Sequence, residues 1–436
     1  MQESYLSVAP MIQWTDRHWR YYVRGITQKT TLYTEMVMDD AVINNPLALE
    51  KYIGHSAAEN PLVLQLGGCD PTKLGDAAAL CERYGGFKEI NLNCGCPSDK
   101  AKSRDFGASL MMTPDRVREI VHAMSRRCVD GTPITVKCRL GAIDSYKSAK
   151  IHQSPPVQTF VAAVKQAGCS KVIVHARDCL LRGLTPAQNR TVPPLRYSEV
   201  HELCSTFPDM EFVLNGGVDG LASARERMRG DGSGGLLRGV MIGRAAYKNP
   251  FILAPADQQT CGGVGGPSQG VLGVLGESDV DSGCCSTRMN VVRRYLQYAD
   301  GVLAGEEDVA ESVAEVGPPD GDEGCCCDSG AVPSSSSFSS YAVSGRGGNT
   351  LPKLCKPLHH ALHGCSQVAQ YKQALDLAVK GAVKSSHRGT VAQGDFVHSL
   401  RSEEGGGGPL TAVFESALGA CGTDVLAFLM EPLQTH

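Results

Sequence analysis

"EINLNCGCPSD" (residues 89–99) alternates apolar and polar residues for six positions and then breaks into Cys-Gly-Cys-Pro. Alternation of this length describes a strand, and the glycine and proline that follow end it. The stretch reads as a strand that delivers Asn93 and Cys96 to its C-terminal tip. Seven other runs share the design: "YLSVAPM" (5–11), "TLYTEMV" (31–37), "LVLQLG" (62–67), "ITVKCR" (134–139), "KVIVHA" (171–176), "EFVLNG" (211–216) and "GVMIGR" (239–244). Helical patterns lie between them, among them "PTKLGDAAALCERYG", "TPDRVREIVHAMSRR", "PVQTFVAAVKQAG" and "DGLASARERMRG".

Near-continuous apolar strands alternating with amphipathic helices indicate a parallel sheet. Eight such units in roughly 250 residues match the size of a (β/α)8 TIM barrel, an α/β fold. Each run also stops at residues that barrel packing does not require. They are Pro10-Met11, Glu35, Gln65, Asn93 through Cys96, Lys137 with Arg139, His175 with Arg177, Asn215-Gly216-Gly217, and Gly243-Arg244. In a barrel all these tips share one rim, where loops build the active site.

The 436 residues exceed one barrel, and a hydrophobic content of 42% allows a sizeable core. The net charge of −4 is unevenly spread: residues 1–256 carry an excess of Lys and Arg, residues 257–349 an excess of Asp and Glu. A basic front portion suits a polyanionic partner. Several of the 18 cysteines sit inside apolar runs (Cys81, Cys138, Cys169), as small reduced hydrophobes do. With no secretory signal at the start, a reduced compartment is expected: the cytoplasm, or an organelle if a targeting segment lies upstream. No apolar run is long enough for a transmembrane helix.

The expected organisation is a barrel over residues 1–256 followed by a small α-helical domain interrupted by low-complexity insertions. The helical domain is split between 288–303 and 350–385. The Gly/Ser-rich linker 257–287 and the acidic insertion 304–349 are expected to be disordered on composition. Residues 386–436 form an extension to which the sequence assigns no role.

"NGGV" and "MIGR" close strands seven and eight, where barrels often bind phosphate on backbone N–H groups. Tight turns alone would account for either motif; together they point to a phosphate site at Gly216, Gly217 and Gly243, with Arg244 adding charged donors. Gln65, Lys137 and His175 end strands three, five and six, where a flat polar ring would need edge donors and acceptors. A lysine beside a flavin pyrimidine would stabilise negative charge on it. There is no strand–GxGxxG–helix unit, so flavin mononucleotide fits better than a dinucleotide. Cys96 has no second cysteine pair at zinc spacing, and a Cys94–Cys96 bridge would be strained. Cys94 extends the strand pattern, whereas Cys96 lies on the loop, where a thiol can serve as packing or as a proton donor.

These motifs occur in a familiar order. "SVAPM", "LQLGG", "NLNCGCPSDK", "FGASLM", "TVKCRLG", "VHARDCLLRGLTPAQNRTVPPLRY", "LNGGV" and "MIGRAAYKNPF" resemble the tRNA-dihydrouridine synthases, and "GLTPAQNRTVPPL" is similar to their bacterial A-type. The resemblance covers residues 5–256. It implies FMN, NADPH and reduction of a uridine C5–C6 bond in the D-loop of tRNA, at position 20 or 20a. It implies Cys96 as proton donor and Pro10, Met11, Ile12, Gln65, Lys137, His175, Asn215, Gly217, Gly243 and Arg244 as FMN contacts. Asn93 would approach the uridine. Arg139, Arg177, Arg182 and Arg190, on the loops after strands five and six, are candidates for RNA contact. No metal and no membrane contact are expected, and the chain is expected to be a monomer.

Two departures stand out. Cys94 and Cys138 replace residues usual in the A-type, and a second thiol two positions from Cys96 invites oxidation. The acidic insertion splits the helical domain with which the family grips tRNA. The competing readings are an FMN-barrel oxidoreductase for a small molecule and a tRNA-binding module without activity. The basic loops favour RNA over the first, and the intact set of site positions argues against the second.

Overall fold

Eight parallel strands form one sheet in this computed structural model, which describes residues 5–144, 153–229, 237–257, 287–304, 350–365, 367–387 and 409–419, with 421, 425, 428 and 429. The strands are β1 (Leu6–Val8), β2 (Leu32–Met38), β3 (Leu62–Gly67), β4 (Glu89–Cys94), β5 (Ile134–Ile143), β6 (Lys171–Leu180), β7 (Glu211–Asn215) and β8 (Gly239–Ile242). Their order runs β1-β8-β7-β6-β5-β4-β3-β2. The ring closes between β1 and β2: Val8 N donates to Thr31 O at 2.9 Å and Thr31 N to Leu6 O at 3.1 Å. This is the (β/α)8 barrel that the alternation predicts. Residues 258–286 of the linker, 305–349 of the acidic insertion and most of 386–436 lie outside the described residues.

Odd-numbered positions face the barrel interior wherever the registers stay in phase, because side chains alternate; the shifts after Tyr33 on β2 and after Arg139 on β5 end that match beyond them. Ala9, Tyr33, Val63, Ile173, Val213 and Met241 pack there as one buried cluster. Even-numbered positions face the helices. The helix Pro71–Tyr84 shows why the chain folds locally: Asp70 caps it by accepting from Thr72 N and Lys73 N, and Pro71 suits its first turn. Gly85, at φ 84°, ends it. Its buried face includes Leu74, Ala77, Ala78 and Cys81. Burying one such leucine contributes about 2 kcal/mol.

β5 and β6 run four residues past the tips expected from sequence. After a register shift they pair with each other, Gly141 with Asp178, Ala142 with Cys179 and Ile143 with Leu180, and Ile143 also bridges Gln153. The extension stands beyond the rim and sets the direction of the segment 181–196. "LGAI" and "RDCLL" do not announce it, because a two-stranded ladder is defined by its partner and not by local pattern.

The described residues fall into two compact units divided between Cys285 and Ser286. The second consists of helices Arg288–Ala304, Thr350–Cys355, Val368–His387 and Pro409–Gly419, with a 3-10 turn at Pro357–His360. Tyr295 and Tyr371 are buried and donate their hydroxyls to Leu354 O (2.6 Å) and Leu358 O (2.9 Å). Asp300 caps the helix Pro409–Gly419 by accepting from Leu410 N at 2.6 Å and Thr411 Oγ1 at 2.6 Å. That cap brings the helix into the same unit, so the helical region reaches beyond the 385 boundary read from sequence.

Candidate active site

β4 sorts its side chains by parity. Asn91 and Asn93 point into the barrel and Cys94 points out. Gln65 on β3 lies between the two asparagines, donating Nε2 to Asn91 Oδ1 and accepting from Asn93 Nδ2, each at 2.8 Å. Asn91 passes the chain on to Thr135 Oγ1 at 3.0 Å. All three amides are buried, so this shared network orients them rigidly. Gln65 keeps one N–H and one lone pair for a ligand.

Asn93 in turn shapes the loop that carries Cys96. Its Oδ1 accepts from Gly95 N at 3.1 Å and Cys96 N at 2.9 Å. The Cys96 carbonyl accepts from Ala108 N at 3.0 Å. Gly107 makes this approach possible: its φ is 65°, and a Cβ there would lie 2.7 Å from Cys96 O. The Cys96 thiol is partly exposed, with Ser98 Oγ at 3.4 Å. Cys94 is fully buried beside Cys138 and Cys169, and burial pushes its thiol well above the ordinary range. Burial separates the two thiols: Cys94 is enclosed, whereas Cys96 stands partly exposed on the loop beyond the strand.

Beside this amide network, from the neighbouring β5 onward, lie cations. Lys137 Nζ donates to Asn215 Oδ1 at 3.2 Å, and Asn215 Nδ2 donates to Met241 O at 2.8 Å. Burial, and then Arg139, lowers the Lys137 ammonium to about 8. His175 is held well below its ordinary value by burial and by Arg139, Lys137, Arg177 and Arg244. It is a neutral ring at physiological pH. Gly216 (φ 111°) lies under that ring, where a Cβ would come within 2.6 Å of Cδ2, and Gly217 follows at φ 69°. Gly243 begins the short helix Arg244–Lys248, whose first N–H groups receive no side-chain cap. Met11 borders Gly243 from the β1 side, Pro10 is half-buried, and Ile12 is 53% exposed.

Among the described residues none of Lys137, Arg139, Arg177, Arg190 and Arg244 forms an ion pair. Burial and other cations lower the guanidinium values of Arg139, Arg177 and Arg190. The Nε atoms of Arg177 and Arg190 are buried without a partner. Such a collection of like charges is unfavourable alone and favourable once an anion enters.

The RNA candidates separate. Arg182 is exposed and pairs with Asp144 at 3.0 Å. Arg190 and Arg177 are half-buried, Arg177 donating to Thr191 O at 3.3 Å and to Pro193 O. Asn93 is 8% exposed and spends its carboxamide on the Cys96 loop and Gln65. Arg139 must be corrected: its guanidinium is 2% exposed and donates to the carbonyls of Gly95, Asp178 and Asn189. A buried fork that donates to three backbone carbonyls is not open to an RNA phosphate.

Sequence reasoning missed Asn91, Ser98, Gly107 and Asn189. Asn189 is fully buried and closes the loop after β6 by bonding Leu180 N and Leu180 O at 2.8 and 2.9 Å. The parity of β4 could have revealed Asn91; nothing local marks Asn189. Among the described residues no three His, Cys, Asp or Glu side chains gather as a metal site, and no helix is long and apolar enough to cross a membrane.

Comparison with known proteins shows what the chain is similar to. The dihydrouridine synthase (Dus) family model matches residues 7–268. The tRNA-dihydrouridine(20/20a) synthase of Pseudomonas putida is 44% identical over 258 residues, 59% of this chain and 71% of that protein. The enzyme of the same name from Synechocystis is 42% identical over 255 residues, covering 58% and 71%. A solved structure of morphinone reductase in complex with tetrahydroNAD is similar at 12% identity and a TM-score of 0.38, over 59% of this chain and 87% of that one.

Proposed function

The chain belongs to the dihydrouridine synthase family, and from that premise we propose that it reduces the C5–C6 bond of a D-loop uridine, at position 20 or 20a, with FMN as cofactor and NADPH as reductant. It is an oxidoreductase of tRNA dihydrouridine synthesis. The observation that carries the finer reading is the set of unpaired cations facing the same mouth as Cys96. Two buried guanidinium nitrogens without partners, glycines 216 and 217 at positive φ, and the uncapped turn at Gly243 fit an anionic, phosphate-bearing group. The neutral His175, the remaining valences of Gln65 and the Lys137 ammonium fit a flat polar ring.

Gly216, Gly217, Gly243 and Arg244 would hold the phosphate, and Pro10, Met11, Ile12, Gln65, Lys137, His175 and Asn215 the ring. Bound there, FMN would supply hydride to C6 of the pyrimidine.

The protein's own task is the proton. As charge develops toward C5, Cys96 delivers its thiol proton to that carbon, from a loop held by Asn93, Ala108 and Arg139. Lys137, Arg139 and Arg190 lie near enough to feel the charge the sulfur then carries. The uridine must leave its stack to reach the mouth, so binding energy offsets unstacking. Arg182, Arg190 and Arg177 are the RNA-facing cations proposed to contribute it. Because one mouth serves nicotinamide and uridine, the two use it in turn.

The purified protein should be yellow, and NADPH should bleach it without air. Cys96→Ala should keep that behaviour while dihydrouridine formation falls about 1,000-fold, the scale of a lost general acid. A colourless protein that takes up no FMN would refute the cofactor assignment, and normal tRNA reduction by Cys96→Ala would refute the role of the thiol.

A further inference from the structure

Arg139 is the most buried cation of the mouth, and among the described residues it has no carboxylate partner. Burying a guanidinium on these terms is costly. A methionine would fill the volume without the charge. What the guanidinium adds is a planar fork of donors in fixed directions. The fork reaches three segments: Nε donates to Gly95 O at 3.0 Å, and Nη1 donates to Asp178 O at 3.1 Å and Asn189 O at 2.9 Å.

Those segments belong to different parts of the proposed chemistry. Gly95 precedes Cys96, and Asn93 takes the N–H groups of both residues. Arg139 takes the Gly95 carbonyl, so the peptides leading into the thiol are held from opposite sides. Asn189 closes the loop 180–189 on itself and presents Arg182 and Arg190 beside it. One side chain thus connects the loop of the proton donor to the loop of the RNA-facing cations.

We propose that Arg139 is a positioning residue for the Cys96 thiol, fixing where the proton is delivered and tying that position to the loop bearing Arg182 and Arg190. The inference rests on the reading of Cys96 as proton donor. In the step it serves, the S–H bond breaks, a C–H bond forms at C5, and the electron pair stays on sulfur. Arg139 touches neither substrate nor reacting atoms. It acts through the Gly95 peptide.

Arg139→Lys and Arg139→Met in the full-length, flavin-loaded protein test this. Both should keep their flavin, and NADPH should reduce it at the wild-type rate. The kcat for tRNA should fall about 100-fold in Arg139→Met, as for a reacting group misplaced by an ångström. The KM for tRNA should change by less than about threefold. The solvent deuterium isotope effect on uridine reduction should rise, because proton delivery becomes limiting. Arg139→Lys, which keeps a donor but loses the fork, should lie between. Wild-type turnover in both variants would overturn the inference. So would a loss shared equally by NADPH oxidation and uridine reduction, an unchanged isotope effect, or failure of both variants to fold. Cys96→Ala run alongside separates the two ideas. If it reduces tRNA, the reading of the thiol fails; if it is inactive while Arg139→Met works normally, only the positioning role fails.

Discussion

The two ends of the barrel are made by the same eight strands and treat charge in opposite ways. At the N-terminal end the charges at the strand starts pair with each other. Glu89 at the start of β4 meets Lys171 at the start of β6, and Glu211 meets Arg238 at 3.2 Å. The space left there is a cavity of about 20 Å³ beside Tyr33, Lys88 and Lys171, large enough for a single water. At the C-terminal end Lys137, Arg139, Arg177, Arg190 and Arg244 form no ion pair among the described residues, Asp178 there being taken by Arg196 and Asp144 by Arg182, and two guanidinium nitrogens are buried without partners. At the first end the buried cation has its carboxylate, although Glu89 keeps one oxygen without a partner, and the second is arranged for something that comes from outside. Barrels generally keep stability at one face and chemistry at the other; here the placement of acidic residues makes the division.

Substitutions at the two ends should therefore move different quantities. The largest effect is expected at the closed end. Lys171→Met strands the Glu89 carboxylate, whose side chain is 5% exposed, and should destabilise the fold by about 3 kcal/mol in urea unfolding. Replacing Glu89 by Leu in the same protein should recover most of that loss, and neither change should alter FMN affinity. An equal effect on FMN binding would break the distinction between the ends.

At the open end Lys137→Met should act in the other direction on stability. The Lys137 ammonium is lowered to about 8 from 10.5, chiefly by burial, so from about pH 8 to 10.5 the unfolded chain binds more protons than the folded one. The contribution of this group to stability rises across that window, and its penalty is fully present below it. The methionine variant without flavin should be more stable than wild type at neutral pH by on the order of 1 kcal/mol, discounted for partial exposure. Its FMN affinity should fall about tenfold, and the weakening of wild-type FMN binding above about pH 8 should vanish. Fluorescence titration at several pH values reads both. A methionine variant less stable than wild type would show that Lys137 is a structural cation like Lys171.

The smallest effect is expected from Arg238→Gln, because both partners of that closed-end pair are well exposed. Stability should change by less than about 1 kcal/mol. A larger loss would extend the tightly paired character of Glu89 and Lys171 to the outer part of that rim.

Much of this was legible before the fold. The helix Arg288–Ala304 and the helix Pro71–Tyr84 each differ from the segment read from sequence by one residue, because caps, prolines and glycines act within one turn of their targets. The tips of the strands were legible for the same reason. The extension of β5 and β6 was not, since each of those segments is a strand only against the other. Arg139 was misjudged because a strand tip can face the mouth or be covered by chain above it, and the covering acceptors, Asp178 on β6 and Asn189 on the loop after it, lie 39 and 50 residues further along.

What the amino-acid order determined alone is the part governed by neighbours along the chain: eight alternating runs, their parity, and which side chains end each one. Parity by itself separates Cys94 from Asn93. What the tertiary structure alone decided is which of those polar tips remain open to a ligand. That depends on burial and on partners tens of residues away, and it is why Lys171 is neutralised by Glu89 while Lys137 waits beside other cations.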